Sequence, residues 1–391
     1  MFDHLNEMSP VALLALAKQD SFERKPRTLL PVPPERIKQA RRWLDASHCA
    51  YQPNGPCEGW TVIAEQRLSQ PWRPAHRLYV TTDDGGDGDG GGGDRAPLVV
   101  LAIRGSQDLN DLVTNLFVET LPFHDGYGHA GMVSGGAALA KLYGPAIALL
   151  ERDTGAKVVT TGHSLGAATA ASCAIELRRQ GYSSSAASVG FGTPAAFAPS
   201  LAQWSSGFVT SIINGDDIVP RITEASLLRL HLRSLRVDVG DVLLCGLEDT
   251  LAQWSLPASC DSAHVERAER FKASVVEFAH DRLLPTRTAA HAAAIAKRLE
   301  ATREFVVPGE VLLINKQGNV GLGSCDDVKD IVLSRTLVSD HLTASYAAGL
   351  GHVLRVDAKP PSALTTSVAH AVRRVKAMVG GSGQPVDGVI L

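Results

Sequence analysis

The segment 157–172 constrains the fold of this chain more than any other part of the sequence. It reads KVVTTGHSLGAATAAS, which is a β-branched run, then a serine between two glycines, then a run of small helix-forming residues. This order predicts a buried strand, a tight turn and a closely packed helix. Ser164 lies in the turn, and Gly162 and Gly166 remove side chains that would collide where the strand and the helix pass each other.

The segments around this turn predict a doubly wound α/β domain. LVVLAI at 98–103 is a continuous apolar run, typical of a strand buried on both faces of a parallel sheet. A helix is predicted at about 135–150, and further strands at 186–192 and 208–213. Strands and helices that alternate in this way form a mostly parallel central sheet.

Helical segments are predicted on both sides of this pattern and inside it. Residues 1–33 form an N-terminal arm whose helix begins at Ser9-Pro10, and a second helix follows at 35–46. Residues 34–358 form the main domain, with a helical insertion at about 225–305 before the strand pattern returns at 309–323. Residues 359–391 form a C-terminal helix and tail.

Two β-like runs, at 60–64 and 77–82, precede the glycine-rich stretch DDGGDGDGGGGD at 83–94. This stretch is similar to calcium-binding glycine-rich repeats, but those need several tandem copies to stack. A single copy between two strands is therefore interpreted as a flexible hairpin loop.

Composition excludes some classes of function. The formal net charge of -3 gives no reason to expect nucleic acid as a partner. The six cysteines are scattered without a C-x-x-C pair, so we expect free thiols and no metal site. The N-terminus has no signal-peptide pattern, and no run reaches the roughly 18 uncharged apolar residues of a spanning helix. These features predict a cytoplasmic protein, with peripheral association with a membrane as the alternative.

A nucleophilic serine needs a base, and the base needs a residue that orients it. Asp216 and Asp217 both follow the predicted strand at 208–213. Asp217 is favoured as the orienting residue because the following Ile-Val-Pro holds it in a partly buried turn. Asp216 is then expected to be solvated.

Seven histidines follow Asp217 and could supply the base. Two of them remain open: His341 in the polar loop SDHLTASY, where a catalytic loop belongs, and His352 in LGHVLRV, which resembles the entry to a strand. Placement favours His341. The others are expected on solvated helix faces of the insertion (His231, His264, His280 and His291) or on the last helix (His370).

The negative charge that develops on a reacting carbonyl oxygen requires two N–H donors. Ser106, at the end of the strand 98–103, and Leu165, directly after Ser164, are the candidates for this oxyanion hole. The Ser106 hydroxyl is a candidate for a further hydrogen bond.

Six blocks of the sequence resemble the class 3 lipases. They occur in family order, and they are AIRGS (102–106), GHAGM (128–132), TGHSLG (161–166), GFGTP (190–194), DDIVPRI (216–222) and SDHLTASY (339–346). Within the family the chain is most similar to the sn-1-specific diacylglycerol lipases. That similarity rests on the methionine of GHAGM, the predicted helix after VPRI, and PGEVLLI at 308–314. Ser106 stands where threonine is commoner in the family.

The resemblance implies an α/β-hydrolase fold that needs no cofactor. It implies a triad of Ser164, Asp217 and His341, and an oxyanion hole of Ser106 and Leu165. It also implies hydrolysis of acylglycerol esters, at a membrane or lipid-droplet surface. A phospholipase A1 or galactolipase with the same triad is the first alternative, and a non-catalytic lipase-like scaffold is the second. The segment 109–128 or the insertion 225–305 is expected to form a lid.

Overall fold

The structure is a computed structural model that describes residues 8, 10–23, 29–52, 60–82, 96–106, 119–237, 270, 274, 289–354 and 364–380. The chain divides into two compact units. The smaller unit comprises Met1–Lys25, Glu224–Arg303 and Asp330–Arg335. The larger unit comprises Pro26–Thr223, Glu304–Lys329 and Thr336–Leu391.

The larger unit is built on one central sheet. Its strands are β1 (Leu30–Pro31), β2 (Thr61–Gln66), β3 (His76–Thr81), β4 (Leu98–Ile103), β7 (Lys157–His163), β8 (Ala187–Phe191), β9 (Val209–Asn214), β10 (Glu310–Ile314) and β11 (Val320–Gly323). A separate hairpin pairs β5 (Thr120–Phe123) with β6 (Gly126–His129).

Strand order in the sheet is β1-β11-β10-β9-β8-β7-β4-β3-β2. The five strands from β4 to β10 run parallel, and β2, β3, β11 and β1 pair antiparallel at the two ends. Helices alternate with the parallel strands along the chain. The fold is therefore the α/β-hydrolase type that the sequence predicts, with a mostly parallel central sheet.

Side chains from β4 point alternately to the two faces of the sheet, because successive residues of a strand face opposite ways. Val99, Leu101 and Ile103 pack in a core with α3 (Ala130–Thr154), α4 (Leu165–Arg179) and α9 (Thr366–Gly380). Val100 and Ala102 pack in a second core with α2 (Pro34–Cys49) and α8 (Thr343–Gly349). Both faces of β4 are thus buried, which explains its continuous apolar run.

Helix α3 begins at Ala130, five residues before the predicted start at 135. Glycines at 131, 135 and 136 lower its helix propensity, but Gly136 lets α3 approach α4 so closely that a Cβ there would lie 2.5 Å from the Cβ of Ser172. This helix is long and apolar enough to cross a membrane by length and composition. In the structure, 61% of the most apolar 18-residue stretch of this helix is buried inside the protein.

The expected lid segment 109–128 is described only in part. Leu116, Phe117 and Val118 lie outside the described residues, as does the glycine-rich stretch 83–94. In the second half of this segment, Thr120–Phe123 forms a strand that pairs with β6. Leu121 is half-exposed, whereas Phe123 is buried against Phe197.

The smaller unit contains three described helices, and its segment 330–335 is irregular. These helices are α1 (Pro10–Glu23), α6 (Glu224–Arg236) and α7 (Ala289–Ala301). The short helix α5 (Pro199–Trp204) belongs to the larger unit. Glu224 on α6 accepts a hydrogen bond of 2.7 Å from Arg298 on α7. His231 is completely buried and packs edge-on against His291, so the expectation of a solvated His231 is wrong. His264 and His280 lie outside the described residues.

Candidate active site

Ser164 occupies the sharp turn between β7 and α4. Its backbone has φ 61° and ψ −134°, a strained conformation for a residue with a side chain. A Cβ on Gly162 would lie 2.4 Å from the carbonyl carbon of Gly166, and a Cβ on Gly166 would lie 2.3 Å from the carbonyl oxygen of Ile103. The turn therefore requires both glycines, for the reason that the sequence indicates.

His341 lies between Ser164 and Asp217. Its Nε2 is 3.0 Å from the Ser164 Oγ, and its Nδ1 is 2.9 Å and 3.0 Å from the two carboxylate oxygens of Asp217. All three residues are buried, with exposed fractions of 2% or less. The structure thus brings together the three residues predicted as a triad, from the ends of β7 and β9 and from the loop before α8.

Asp217 keeps its charge although it is fully buried. Burial alone raises the pKa of its carboxyl, but His341, the Tyr346 hydroxyl and the Val219 N–H together hold that pKa below the ordinary value. Tyr346 donates a hydrogen bond of 2.6 Å to the carboxylate, and the Val219 N–H donates one of 2.9 Å. The Ile-Val-Pro turn therefore holds Asp217 in place through a backbone donor.

Asp216 is not solvated, contrary to the prediction. Only 1% of it is exposed, and its carboxylate lies 2.8 Å from the Lys316 ammonium. The Asp216 N–H donates to the Asp340 carboxylate at 2.8 Å. Asp216 thus joins the backbone of the β9 turn to the loop that carries His341.

His352 lies outside the triad and is not in a strand. It follows α8 in irregular structure, because the backbone turns at Gly351, which has φ 61°. Its Nε2 lies 2.8 Å from an oxygen of Asp45 on α2. Of the two histidines left open by the sequence, the structure places His341 against Ser164.

Two further residues at the site, Tyr51 and His163, were missed in the sequence. Burial and the proximity of His341 lower the pKa of His163 to about 3, so its imidazole is neutral. Its Nε2–H donates to the His341 carbonyl oxygen at 2.6 Å, and the two rings lie 4.6 Å apart. The Tyr51 hydroxyl accepts the Gly105 N–H at 3.0 Å. His163 and Tyr51 therefore support the backbone of the loop that carries His341 and of the turn after β4.

Ser106 and Leu165 lie together at the wall of a cavity of about 490 Å³. Leu165 is the first residue of α4, where backbone N–H groups lack acceptors within the helix. The other residues that line the cavity are Ser69, Gln70, Trp72, Arg73, Pro74, Arg104, Gly105, His129, Gly131, Met132 and Thr169. The two residues predicted to form an oxyanion hole thus face a space large enough for part of a substrate.

In the described part of the chain, no group of three or more His, Cys, Asp or Glu residues is arranged to hold a metal ion. The described cysteines, Cys49, Cys173 and Cys325, are free thiols. The chemistry that the site can perform follows from its serine, histidine and aspartate in hydrogen-bonded series.

Comparison with known proteins finds a similar family over part of the chain. Residues 100–226, which include Ser164 and Asp217, match the family described as lipase (class 3). Over 153 residues, 37% of this chain, the sequence is 31% identical to diacylglycerol lipase-beta of Mus musculus. The matched segment spans 23% of the length of that protein.

Solved structures similar to the chain include two fungal lipases. The lipase–propeptide complex of Rhizomucor miehei is 18% identical with a TM-score of 0.42, over 51% of this chain and 68% of that one. Lip2 lipase of Yarrowia lipolytica is 18% identical with a TM-score of 0.41, over 50% of this chain and 78% of that one. Over residues 100–226 the chain is thus similar to the class 3 lipases, and over 153 residues it is similar to a diacylglycerol lipase.

Proposed function

We propose that this protein hydrolyses acyl ester bonds of acylglycerols, with Ser164 as the nucleophile. The observation that carries the proposal is the continuous hydrogen-bonded series from Ser164 through His341 to Asp217. With Nδ1 protonated and donating to Asp217, His341 keeps Nε2 as the acceptor of the Ser164 proton.

The reaction follows from this geometry in two steps. As Ser164 Oγ attacks the ester carbonyl, its proton passes to His341 Nε2, and Asp217 stabilises the imidazolium. The N–H groups of Ser106 and Leu165 stabilise the oxyanion, and the departing alcohol takes the proton from His341. Water, deprotonated by His341, then attacks the acyl-enzyme and releases the fatty acid.

A phospholipid ester is a second candidate substrate, and one observation favours it. Arg73 and Arg104 line the cavity beside Ser106 and Leu165, and the described residues that line it include no aspartate or glutamate. Guanidinium groups pair well with phosphate. A non-catalytic scaffold has no comparable support, because such a protein has no need to keep the triad assembled.

The proposal is tested with purified protein against diacyl-, monoacyl- and triacylglycerol, phosphatidylcholine and galactolipid. Ser164→Ala should lower turnover of every substrate by roughly 10⁶, as loss of the nucleophile does in a comparable triad. Its folding should be unchanged, and a fluorophosphonate should label only the unmodified protein. If the variant retained a tenth of the activity, Ser164 would not be the nucleophile.

A further inference from the structure

The turn between β2 and β3, residues 67–75, presents two large apolar side chains to solvent. Leu68 is 77% exposed and Trp72 is 57% exposed. Trp72 also has φ 60°, in the left-handed region that bulky residues avoid. A backbone conformation that is costly for tryptophan is thus kept at a solvent-exposed position of the turn.

Hydrogen bonds hold this turn in one shape. Gln70 and Arg73 exchange backbone hydrogen bonds of 2.8 Å and 3.0 Å. The Gln66 side chain donates to the carbonyl oxygens of Leu68 and Arg73, each at 3.0 Å. The Ala75 N–H donates to Ser69 Oγ at 3.1 Å. Leu68 and Trp72 are therefore displayed by a fixed backbone.

The register of the sheet places this turn on the same side as Ser164, where the parallel strands have their carboxyl ends. His76, at the start of β3, pairs with Ile103 at the end of β4, and Ile103 pairs with Gly162 near the end of β7. Trp72 and Arg73 line the cavity together with Ser106 and Leu165. Trp72, one of the two exposed apolar side chains, thus lines the same cavity as Ser106 and Leu165, and Leu68 lies in the same turn.

A second pair of apolar side chains is exposed beside the catalytic histidine. Val338 is 47% exposed and Leu342 is 49% exposed, and the two flank His341 in the sequence. The His341 loop lies against the ends of β7 and β9, so this pair belongs to the same edge of the sheet.

The charge around the turn is positive. No aspartate or glutamate occurs between Gln66 and Thr82 in the sequence. Arg67 is paired with Glu65, but no ion pair with a described acidic residue neutralises Arg73 or Arg104. Apolar side chains flanked by arginines match a lipid surface that carries anionic headgroups, where tryptophan favours the interface.

We propose that the turn 67–75 docks this protein on anionic lipid bilayers, with Leu68 and Trp72 entering the interface and Arg73 and Arg104 facing the headgroups. The proposal deepens the proposed function, because docking at this edge places the cavity beside Ser164 against the lipid that supplies the substrate. It concerns binding alone, so it can fail or succeed separately from the hydrolytic activity.

Binding is measured by sedimentation with vesicles of non-hydrolysable diether lipids, using the full chain with Ser164→Ala. About one quarter phosphatidylglycerol in phosphatidylcholine should bind the protein, and raising the salt to about 0.5 M should weaken that binding. Leu68→Ser and Trp72→Ser should each weaken it about tenfold, because each removes one large apolar side chain from the interface. In the chain that retains Ser164, Leu68→Ser should leave hydrolysis of a short soluble ester unchanged.

The matched control is Trp204→Ser. Trp204 is 45% exposed but lies at the end of α5, before β9 begins, at the opposite edge of the sheet. This variant should bind vesicles as strongly as its parent. Absence of binding, equal binding to pure phosphatidylcholine, or equal losses for Trp204→Ser and Trp72→Ser would each overturn the proposal. Hydrolysis without vesicle binding would retain the proposed function and remove the docking surface.

Discussion

At the scale of single residues, the carboxylate of Asp217 depends on a small number of donors. It has no exposed surface, and its charge is held by His341, by Tyr346 and by one backbone N–H. Tyr346 stands five residues after His341, so the loop that carries His341 leads directly into the short helix α8, which supplies part of the support for Asp217.

Tyr346→Phe is expected to lower kcat about tenfold and leave KM nearly unchanged. The change removes a hydrogen bond to a buried carboxylate, which is worth roughly 1.5 to 3 kcal/mol, and only part of that value reaches the transition state. Steady-state kinetics on a soluble ester and the rate of fluorophosphonate labelling should fall together. Tyr143→Phe is the control, since Tyr143 bonds with His76 at 2.8 Å, away from the triad. A rise in KM at constant kcat would contradict a positioning role.

Two alanine variants distinguish His341 from His352, the two histidines that the sequence leaves as candidates for the base. His341→Ala should abolish both turnover and fluorophosphonate labelling, because Ser164 loses its base. His352→Ala should keep most of both, because its ring contacts Asp45 rather than Ser164. Severe loss in His352→Ala with a correctly folded protein would show that the assignment of the base is wrong.

At the scale of elements, backbone contacts more than side-chain contacts limit which residues the turn between β7 and α4 can accommodate. A Cβ at Gly166 would meet the Ile103 carbonyl oxygen at 2.3 Å, and backbone atoms cannot move aside as a side chain can. The helix α4 and the strand β4 are therefore as close as two elements can be at this position.

Gly166→Ala should destabilise the protein by about 3 kcal/mol through overpacking, and it should also displace Leu165 from the oxyanion hole. Urea unfolding and activity should both report the change. Gly207→Ala is the matched control, because Gly207 is exposed and a Cβ there would meet nothing within 4 Å. Equal stability of the two variants would mean that the turn between β7 and α4 is less closely packed than the structure shows.

Sequence patterns predicted the elements well where the signal is local. In β4 and α4 nearly every residue is buried against neighbouring elements. The apolar run of β4 and the small residues of α4 record that burial directly in the local sequence. The start of α3 was placed too late because tertiary packing overrides the low helix propensity of its glycines. His352 was interpreted as part of a strand because a short apolar run does not distinguish a strand from an irregular segment.

The site was predictable to the extent that its residues carry sequence motifs. Ser164 and Asp217 stand next to recognisable strand ends. Tyr51 acts through a contact with a residue 54 positions away and His163 through a contact with one 178 positions away, and no local pattern reports such contacts. Asp216 was expected to be solvated because its partner, Lys316, lies 100 residues further along the chain.

At the scale of the whole molecule, buried histidines make the fold sensitive to acid. Burial, with the proximity of His341, lowers the pKa of His163 to about 3, and burial lowers that of His76 to about 4. The unfolded chain binds protons at both positions from about pH 6.5 downward, and the folded chain does not. Their effect on stability is therefore absent above pH 6.5 and grows as the pH falls towards 3.

The free energy of unfolding should fall by about 2 kcal/mol for each of these histidines between pH 7 and pH 5. Urea unfolding at the two pH values measures the loss. His163→Gln should reduce the pH-dependent part by about 2 kcal/mol, whereas His370→Gln, on the exposed face of α9, should leave it unchanged. A His163→Gln variant with the same pH dependence as the parent would show that His163 is protonated inside the fold.

The two-residue strand β1 has a consequence for anyone who wishes to shorten this chain. Leu30 and Pro31 pair with Leu322 and Gly321 along the outer side of β11, and a Cβ on Gly321 would lie 2.4 Å from the Leu30 carbonyl oxygen. An uncovered strand at the end of a sheet invites pairing with a neighbouring molecule. A version that begins after residue 31 would leave β11 as an uncovered edge strand and so favour aggregation. Residues 29–31 should therefore be kept in any shortened form of the protein.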